Sequence, residues 1–306
     1  MTFDVISIGS SLVDIFLSSP QLKLSKGKTK KFTIQGDKIE LDTMRVFSGG
    51  GGTNTAVGFA RLGFKTGLIS ETGKDNFASV ILNELHREGV DTSLIIQEKL
   101  EQTGGTVLLV NKDGERTALI HRGASSMIDP YDISPFWFLQ TRWVHLTNIA
   151  GKEETLHKIF KLIRKNLETT LSWNPGKQEL ALIAEEKLAI TDIPCKILIL
   201  NEVEWELVKD QQKALIKEIP EIIITQGQKG GFVYEHGQKT FKFLATGDRA
   251  IETTGAGDAF STGFVAGQLL GESLKTCVTW GARNAGSVIS QFGAKAGLLD
   301  RQHIKS

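Results

Sequence analysis

The chain contains the run Glu252-Thr253-Thr254-Gly255-Ala256-Gly257-Asp258-Ala259-Phe260, in which a carboxylate follows a loop of small residues. The loop leaves its backbone N–H groups accessible, so they can converge on an anion at the positive end of a following helix. Apolar residues recur at helical spacing from Phe260 to Leu269, and Gly271 offers a stop. Taken alone, the run also fits a glycine-rich turn in which Asp258 is an ordinary first-turn helix residue.

A second glycine-rich run lies in the first third of the chain: Gly49-Gly50-Gly51-Gly52-Thr53-Asn54-Thr55-Ala56. Consecutive glycines allow the backbone to approach a ligand closely. Asn54, at the head of a predicted helix that stops at Gly63, can offer a donor and an acceptor to a hydroxyl group. The alternative is a flexible loop whose helix is capped by Thr53.

Two other glycine-rich nucleotide sites do not fit the spacing. A Walker P-loop requires a glycine ahead of Gly-Lys-Ser/Thr at a fixed distance, and Gly27-Lys28-Thr29 has Leu22 at that position. A dinucleotide fingerprint requires Gly-x-Gly-x-x-Gly after the first strand, which here runs into Gly9-Ser10-Ser11-Leu12-Val13-Asp14. The sequence therefore argues against both sites, and NAD is not expected.

Together, the two glycine-rich runs resemble the paired signatures of the PfkB-type carbohydrate kinases, the family with the ribokinase-like fold. The resemblance extends over essentially all 306 residues. It implies transfer of the γ-phosphoryl group of ATP, with Mg²⁺, to a hydroxyl of a small sugar, as in ribokinases and fructokinases. Because relatives accept adenosine in the same pocket, a nucleoside kinase is the alternative. A third hypothesis is a catalytically inactive homologue that binds sugar or nucleotide as a regulator.

Composition limits the partners and the compartment. A chain of 306 residues with 40% hydrophobic residues can bury a large core. Its net charge of +1 implies no electrostatic attraction to nucleic acid or to a membrane surface. Cys195 and Cys277 lack metal-like spacing and fit two inert thiols in a reducing compartment. No two of the six histidines are closely spaced, which argues against zinc. Without a signal peptide or a long apolar run, we expect a cytoplasmic protein.

Short apolar runs alternate with helical patterns along most of the chain. This alternation predicts an α/β fold, a three-layer sandwich with a mostly parallel sheet covered by helices on both faces. The predicted strands are 5–8, 66–70, 143–146, 170–173, 197–200 and 222–225. The predicted helices are 76–88, 153–166, 178–189 and 202–209. No linker interrupts the pattern, so we expect a single domain spanning residues 1–306.

Two segments, about 15–48 and 101–121, lack matching helices and alternate as hairpin strands do, including Phe32 and Ile34 and a turn at Lys112-Asp113-Gly114-Glu115. We expect them to form a separate small sheet. The resemblance makes this sheet a lid over the sugar, with a hinge at residues 49–52. Its strands would expose apolar side chains, and a homodimer through the lid is one way to cover them.

The resemblance assigns the catalytic centre to the first run. Asp258 matches the family's catalytic base, and a carboxylate at a helix N-terminus is ready to accept the proton of the attacking hydroxyl. Gly255, Ala256 and Gly257 match the anion hole that faces the charge developing on the transferred phosphoryl group. Intact Asp258, Asn201 and Glu204 argue against the inactive homologue.

Three further segments match the family's nucleotide side. Asn201 and Glu204, in Asn201-Glu202-Val203-Glu204 after a predicted strand, are expected to order Mg²⁺ through its waters, although the pattern alone is a capping box. Thr225, Gly227 and Gly230 resemble the Thr-x-Gly-x-x-Gly beside the ribose and phosphates, with a simple hairpin turn as the alternative.

The third segment is the small-residue helix at residues 281–286, which matches the wall of the adenine pocket. On this helix, Asn284 is the expected polar contact with the base.

For the acceptor, Asp14 matches the carboxylate that grips sugar hydroxyls, placed at the end of the turn after the first strand. Gly50, Gly51 and Asn54 would line the same pocket. Arg122 enters the pocket from the lid side in some relatives, and a surface cation is the alternative. An exposed turn residue is the competing interpretation of Asp14.

The chain departs from the family pattern at several positions. Glu252 stands where the family has an Asp that helps to hold a monovalent cation, and Lys295-Ala296-Gly297 replaces the small, hydroxyl-bearing end of the companion loop, which argues against potassium activation. Gly51 replaces the Lys of many ribokinases. Trp173 and Gly176 replace the Asp and Arg of 2-keto-3-deoxygluconate kinases, so an unphosphorylated, non-acidic sugar or a nucleoside is favoured.

Overall fold

The structure is a computed structural model that describes residues 2–19, 38–98, 100–110, 116–247 and 250–306. The predicted alternation at Phe32 and Ile34 and the predicted turn at residues 112–115 lie outside these residues. Within the described ranges, no helix is long and apolar enough to cross a membrane.

The described strands divide between two separate sheets. In chain order they are β1 (Phe3–Ile8), β2 (Leu12–Ser18), β3 (Thr43–Gly49), β4 (Thr66–Thr72), β5 (Ile95–Gln97), β6 (Thr103–Val110), β7 (Arg116–Gly123), β8 (Thr141–Leu146), β9 (Thr170–Trp173), β10 (Ile197–Asn201), β11 (Glu221–Thr225), β12 (Gly231–Glu235) and β13 (Gln238–Phe243). The larger sheet has the order β13-β12-β11-β10-β9-β8-β1-β4-β5. It is parallel from β5 to β11, and β12 and β13 add an antiparallel edge.

Helices cover both faces of this sheet. They are α1 (Gly51–Arg61), α2 (Asn76–Arg87), α3 (Pro135–Phe138), α4 (Glu153–Lys165), α5 (Lys177–Ala184), α6 (Glu202–Leu207), α7 (Gln212–Glu218), α8 (Ala256–Leu269), α9 (Leu274–Ile289) and α10 (Arg301–Lys305). The predicted three-layer sandwich is confirmed, together with each predicted strand of the large sheet.

The reason for two helical layers lies in the strand sequences. Leu198 and Leu200 of β10 pack into the core on one face of the sheet, while Ile197 and Ile199 pack into the core on the other. A strand whose alternate residues are all apolar must be covered on both sides, as parallel strands in α/β proteins are. Helices α1, α8 and α9 cover one face of the sheet, and helices α4 and α5 cover the other face.

The smaller sheet has the order β3-β2-β6-β7, with β2 and β6 parallel and the outer pairs antiparallel. This confirms the separate small sheet predicted from segments without helices. Several large apolar side chains of these strands are exposed: Met44, Val46, Leu119 and Ile120. We refer to this sheet below as the small sheet.

Three local predictions are corrected. The helix predicted over 178–189 ends at Ala184, and Glu186 has a φ of 58°, which a continuing right-handed helix does not allow. Asp14 lies within strand β2 and is 8% exposed, so it is neither the end of a turn nor an exposed residue. Of the predicted hinge at residues 49–52, Gly49 ends strand β3 and Gly51 and Gly52 belong to helix α1, so only Gly50 lies outside a strand or helix.

Candidate active site

The two glycine-rich runs meet through one hydrogen bond. Asn54 on α1 donates from Nδ2 to Oδ2 of Asp258 on α8 over 2.8 Å, across 204 positions of sequence. The other amide atom of Asn54, Oδ1, is buried and has no hydrogen-bond partner within the described ranges. A buried acceptor is costly without a donor, so this oxygen is suited to a donor brought by a ligand.

Glycine lets α1 begin close to the chain beneath it. Gly50 has a φ of 95°, a conformation that side chains other than glycine rarely adopt. A Cβ on Gly52 would lie 2.6 Å from the carbonyl oxygen of Gly9, and a Cβ on Gly51 would lie 2.8 Å from Oγ1 of Thr147. The first turn of α1 therefore rests directly on the loop after β1, and position 51 has no space for a side chain.

Asp258 occupies the first turn of α8, as predicted. Burial raises the pKa of its carboxyl group, the hydrogen bond from Asn54 and the charge of Lys295 oppose this, and the nearby Asp14 charge adds to it. A carboxylate with a raised pKa is a stronger base than an ordinary aspartate, which suits proton removal from an alcohol.

Asp14 reaches the same site from β2. Its carboxylate packs against Gly49, where a Cβ would lie 1.9 Å from Oδ2. Burial raises the pKa of Asp14, while its hydrogen bond with Thr106 and the charge of Lys295 lower it. The structure therefore brings together Asp14, Gly50, Gly51 and Asn54, which were predicted for the acceptor side, with Asp258, the predicted base.

A cavity of about 520 Å³ lies beside the first turn of α8. Thr225, Gly227 and Gly230 line one side of it, and Ala256 and Gly257 line another. Helix α9 supplies an apolar wall of mostly small residues, which consists of Ala282, Ala285, Gly286 and Ile289. The volume lies in the usual range for small-molecule sites, and its apolar wall suits a flat aromatic base. Residues 225–231 also form the tight connection of the β11–β12 hairpin, so the turn interpretation holds for the same residues that line the cavity.

The predicted anion hole has the backbone form that the sequence indicates. Gly255 is left-handed, with a φ of 79°, and leaves the N-terminus of α8 without a side-chain cap. The Ala256 N–H donates to the Thr253 carbonyl over a long 3.4 Å, so it is only weakly engaged. A Cβ on Gly257 would meet open space, which means that a ligand could approach the backbone there.

Asn201 and Glu204 form the capping box of α6. Asn201 Oδ1 accepts from the Glu204 N–H and Glu204 Oε2 accepts from the Asn201 N–H, each over 2.9 Å. Burial raises the pKa of Glu204, and the charge of Asp258 raises it further. A cation between these two carboxylates would relieve their repulsion, so the residues fit a magnesium ion held largely by water and phosphate.

Asn284 is corrected as a nucleotide contact. Its side chain is fully buried between α8 and α9, where Nδ2 donates to the Ala259 carbonyl and to Thr262 Oγ1, and Oδ1 accepts from the Leu299 N–H. The amide thus joins elements of the core, whereas its neighbours Ala282 and Ala285 line the cavity. Arg122 lies on β7 of the small sheet and is partly exposed, and its carbonyl accepts from Ser125 Oγ.

Two lysines near these groups were not predicted as site residues. Lys177, the first residue of α5, shares a small cavity with Asn201 and Glu204, and its charge lowers the pKa of Glu204. Lys295 is 4% exposed, and its charge lowers the pKa of both Asp14 and Asp258. Isolated lysines in loops or at helix starts carry no sequence signal, so only the fold identifies them.

The family model for pfkB family carbohydrate kinases matches residues 3–301. The chain belongs to the pfkB family. It is 29% identical to a ribokinase of Haemophilus influenzae over 89% of this chain and 90% of the relative. It is 26% identical to a nucleoside kinase of Methanocaldococcus jannaschii over 88% of both chains. The fold matches that of Arabidopsis thaliana ribokinase, complexed with ribose and ATP, with a TM-score of 0.80 at 20% identity, covering 100% of this chain and 98% of that one.

Membership of the pfkB family identifies the chain as an ATP-dependent carbohydrate kinase of the sugar and nucleoside kinase group. Both cysteines of this pfkB protein are buried, and burial raises the pKa of each thiol to about 12, as inert thiols require.

Proposed function

We propose that this pfkB protein transfers the γ-phosphoryl group of ATP to a hydroxyl of a small, uncharged sugar, with Asp258 as general base. The observation that carries the proposal is the Asn54–Asp258 hydrogen bond of 2.8 Å. This bond supports a base at Asp258, with the cavity beside Gly257 proposed for the nucleotide and the region of Asp14 proposed for the acceptor.

The residues divide the work of phosphoryl transfer between them. Asp14 and Asn54 Oδ1 accept hydrogen bonds from sugar hydroxyls and orient the acceptor. Asp258 takes the proton of the attacking hydroxyl as its oxygen bonds to phosphorus. The backbone at Gly255 and Gly257, with the start of α8, stabilises the negative charge that develops on the phosphoryl oxygens.

ATP would occupy the cavity of about 520 Å³, with its base against α9 and its phosphates toward α8. Asn201 and Glu204 would hold Mg²⁺ through its waters, and the ion would supply positive charge to the phosphates. Lys177, which lines the same small cavity as Glu204, adds a positive charge on this side.

The acceptor side favours a polyhydroxyl compound without negative charge. Two carboxylates, Asp14 and Asp258, and the unpaired Asn54 Oδ1 are all hydrogen-bond acceptors, so they match a ligand that brings several O–H donors. The two carboxylates would repel a phosphorylated or acidic sugar. Nucleosides remain the second candidate because a nucleoside kinase is among the sequence relatives.

The small sheet would act as a lid that closes over the acceptor. Asp14 lies on β2 of this sheet, so acceptor binding to its carboxylate ties the sheet to the site. The exposed Met44, Val46, Leu119 and Ile120 offer apolar surface for pairing with a second copy of the chain.

A substrate panel tests the proposal. ADP release with Mg²⁺ would be followed for ribose, fructose, fructose 6-phosphate, adenosine, inosine and cytidine. We expect acceptor-dependent ADP release with a free sugar. A nucleoside as the best acceptor would replace the first candidate by the second, and failure of every acceptor would remove the kinase assignment of this site.

A further inference from the structure

A buried ammonium group lies behind the acceptor side. Lys295, in the loop between α9 and α10, is only 4% exposed. Its Nζ donates to the Ser48 carbonyl over 2.8 Å and to Glu84 Oε2 over 3.1 Å, and it also bonds to the Ser48 hydroxyl. Lysine is rarely buried unless it is paired, so this position needs an explanation.

The loop that carries Lys295 is held firmly in place. Arg61 of α1 donates from Nη1 to the Lys295 carbonyl over 2.8 Å and to the Leu298 carbonyl over 3.2 Å. The same guanidinium makes a two-pronged bond to Glu88 of α2, over 2.8 Å and 2.7 Å. The ammonium therefore has a fixed location, which a charge must have if it is to position other groups.

The contact to Ser48 leads directly to the acceptor carboxylate. Ser48 is followed by Gly49, against which the Asp14 carboxylate packs so closely that a Cβ would lie 1.9 Å from Oδ2. Any shift of the Ser48 carbonyl would move Gly49 and, with it, the surface on which Asp14 rests. Lys295 thus holds the backbone that defines the position of Asp14.

The charge of Lys295 also acts on the site. It lowers the pKa of Asp14 and of Asp258, in opposition to burial and to the repulsion between the two carboxylates. Burial in turn lowers the pKa of Lys295, and Glu84, Asp14 and Asp258 raise it. The other charged groups around this cluster are Glu88 of α2, Glu252 before α8 and Arg61 of α1.

We propose that Lys295 is the positioning residue of the acceptor side: it fixes the Ser48–Gly49 backbone under Asp14 and balances the negative charges of Asp14 and Asp258. The proposal rests on the proposed kinase function for its effect on rate. A merely structural lysine would instead serve only to pair with Glu84.

Lys295→Met tests this, because it keeps the apolar part and most of the length of the side chain and removes the charge. We expect kcat/KM for the acceptor to fall about 10²-fold, the usual effect of leaving a buried charge unpaired, with KM for ATP unchanged. We also expect the acid limb of the kcat/KM profile to move to higher pH. Lys196→Met is the matched control, because Lys196 also pairs with a glutamate, Glu221, over 3.6 Å but lies 42% exposed outside the site.

The double variant Lys295→Met/Glu84→Gln separates the two roles. With Glu84 neutral, a lysine that served only Glu84 is no longer needed, so recovery of wild-type kcat/KM for the acceptor would overturn the proposal. We expect the double variant to regain thermal stability while its acceptor kcat/KM stays low. An unshifted acid limb in Lys295→Met would also overturn it.

A readout without substrate keeps this test independent of the proposed function. If the wild-type chain phosphorylates no acceptor, the pH dependence of Tm still reports the charge balance. Without Lys295 the folded-state pKa values of Asp14 and Asp258 rise further, so the folded protein loses stability as pH rises through them. We expect the Tm gap between Lys295→Met and wild type to widen as the pH rises above the usual aspartate range. A constant gap would overturn the proposal.

Discussion

Asn54 donates a 2.8 Å hydrogen bond to Asp258, and this contact joins the two glycine-rich runs that form the proposed active site. Asn54 lies on α1 and Asp258 lies on α8, and each helix is preceded by a glycine at positive φ, Gly50 and Gly255. Glycine is needed at the start of both helices because the backbone there lies close to other parts of the chain. Gly52 lies against the Gly9 carbonyl, and Gly255 lies against Ala294. The Asn54 amide and the Asp258 carboxylate therefore lie next to each other at the N-terminal ends of the two helices.

The pH dependence of the wild-type enzyme follows from the raised pKa values of Asp258 and Asp14. The base must be ionised to accept a proton, so kcat/KM should fall as pH drops through the raised pKa, at a higher pH than for an ordinary aspartate. The acid limb of kcat/KM against pH measures this. An acid limb at or below the usual aspartate range would contradict it.

The raised pKa values of Asp258 and Asp14 also affect stability, which should change with pH in the opposite direction to activity. A carboxyl group whose folded-state pKa is raised binds a proton more tightly in the folded protein, so its contribution to stability is present at low pH and lost as pH rises through that pKa. Asp258→Asn should therefore be more stable than wild type at neutral pH, with the difference vanishing below the usual aspartate pKa. Tm measured between about pH 4 and pH 8 checks the sign.

Asp14→Ala removes the carboxylate that we propose as a hydrogen-bond partner of the acceptor. We expect a loss of about 1.5–3 kcal/mol in acceptor binding, seen as a higher acceptor KM, with ATP affinity unchanged. Steady-state kinetics with each substrate varied in turn gives both values. Equal weakening of both ligands would place Asp14 outside the acceptor side.

Gly49→Ala tests the contact between backbone and carboxylate without removing either group. The new Cβ would lie 1.9 Å from Asp14 Oδ2, so the carboxylate must move, and we expect the acceptor KM to rise with the fold intact. Gly105→Ala, on β6 of the same small sheet, is the matched control, because its Cβ would meet the Val13 carbonyl at 3.4 Å, which is ordinary contact. Similar kinetics in the two variants would contradict the role of Gly49.

Closure of the small sheet should be visible by hydrogen exchange. If acceptor binding to Asp14 draws the sheet over the site, amides in residues 43–48, 103–110 and 116–121 should gain protection when the acceptor is added. Amides of β10 and β11, in the centre of the large sheet, serve as the internal control. Identical protection of the small sheet in both states would mean a static sheet.

Periodicity predicted the large sheet well because its strands are apolar on both faces, as Ile197 to Leu200 illustrates. Asp14 was predicted as a site residue but was assigned to a turn, because Ser10 and Ser11 suggest a loop. The segment is instead extended, because β2 pairs with two strands that are distant in sequence, β3 and β6. Asn284 was wrong as a base contact because helical spacing does not reveal which side of α9 faces the cavity. The role proposed for Lys295 could not be predicted from the sequence, because it depends on burial beside Glu84, Asp14 and Asp258, which are distant in sequence.

We propose that Asp258 removes the proton of an acceptor hydroxyl during phosphoryl transfer from ATP. The most direct measurement follows ATP, ADP and the phosphorylated acceptor by ³¹P NMR, in parallel for wild type and Asp258→Asn, with ATP binding measured by calorimetry. We expect one phosphomonoester per ADP with wild type, and a kcat about 10²- to 10⁴-fold lower in the variant with ATP affinity retained. ADP formation without a phosphomonoester, or a variant that turns over at the wild-type rate, would contradict the claim.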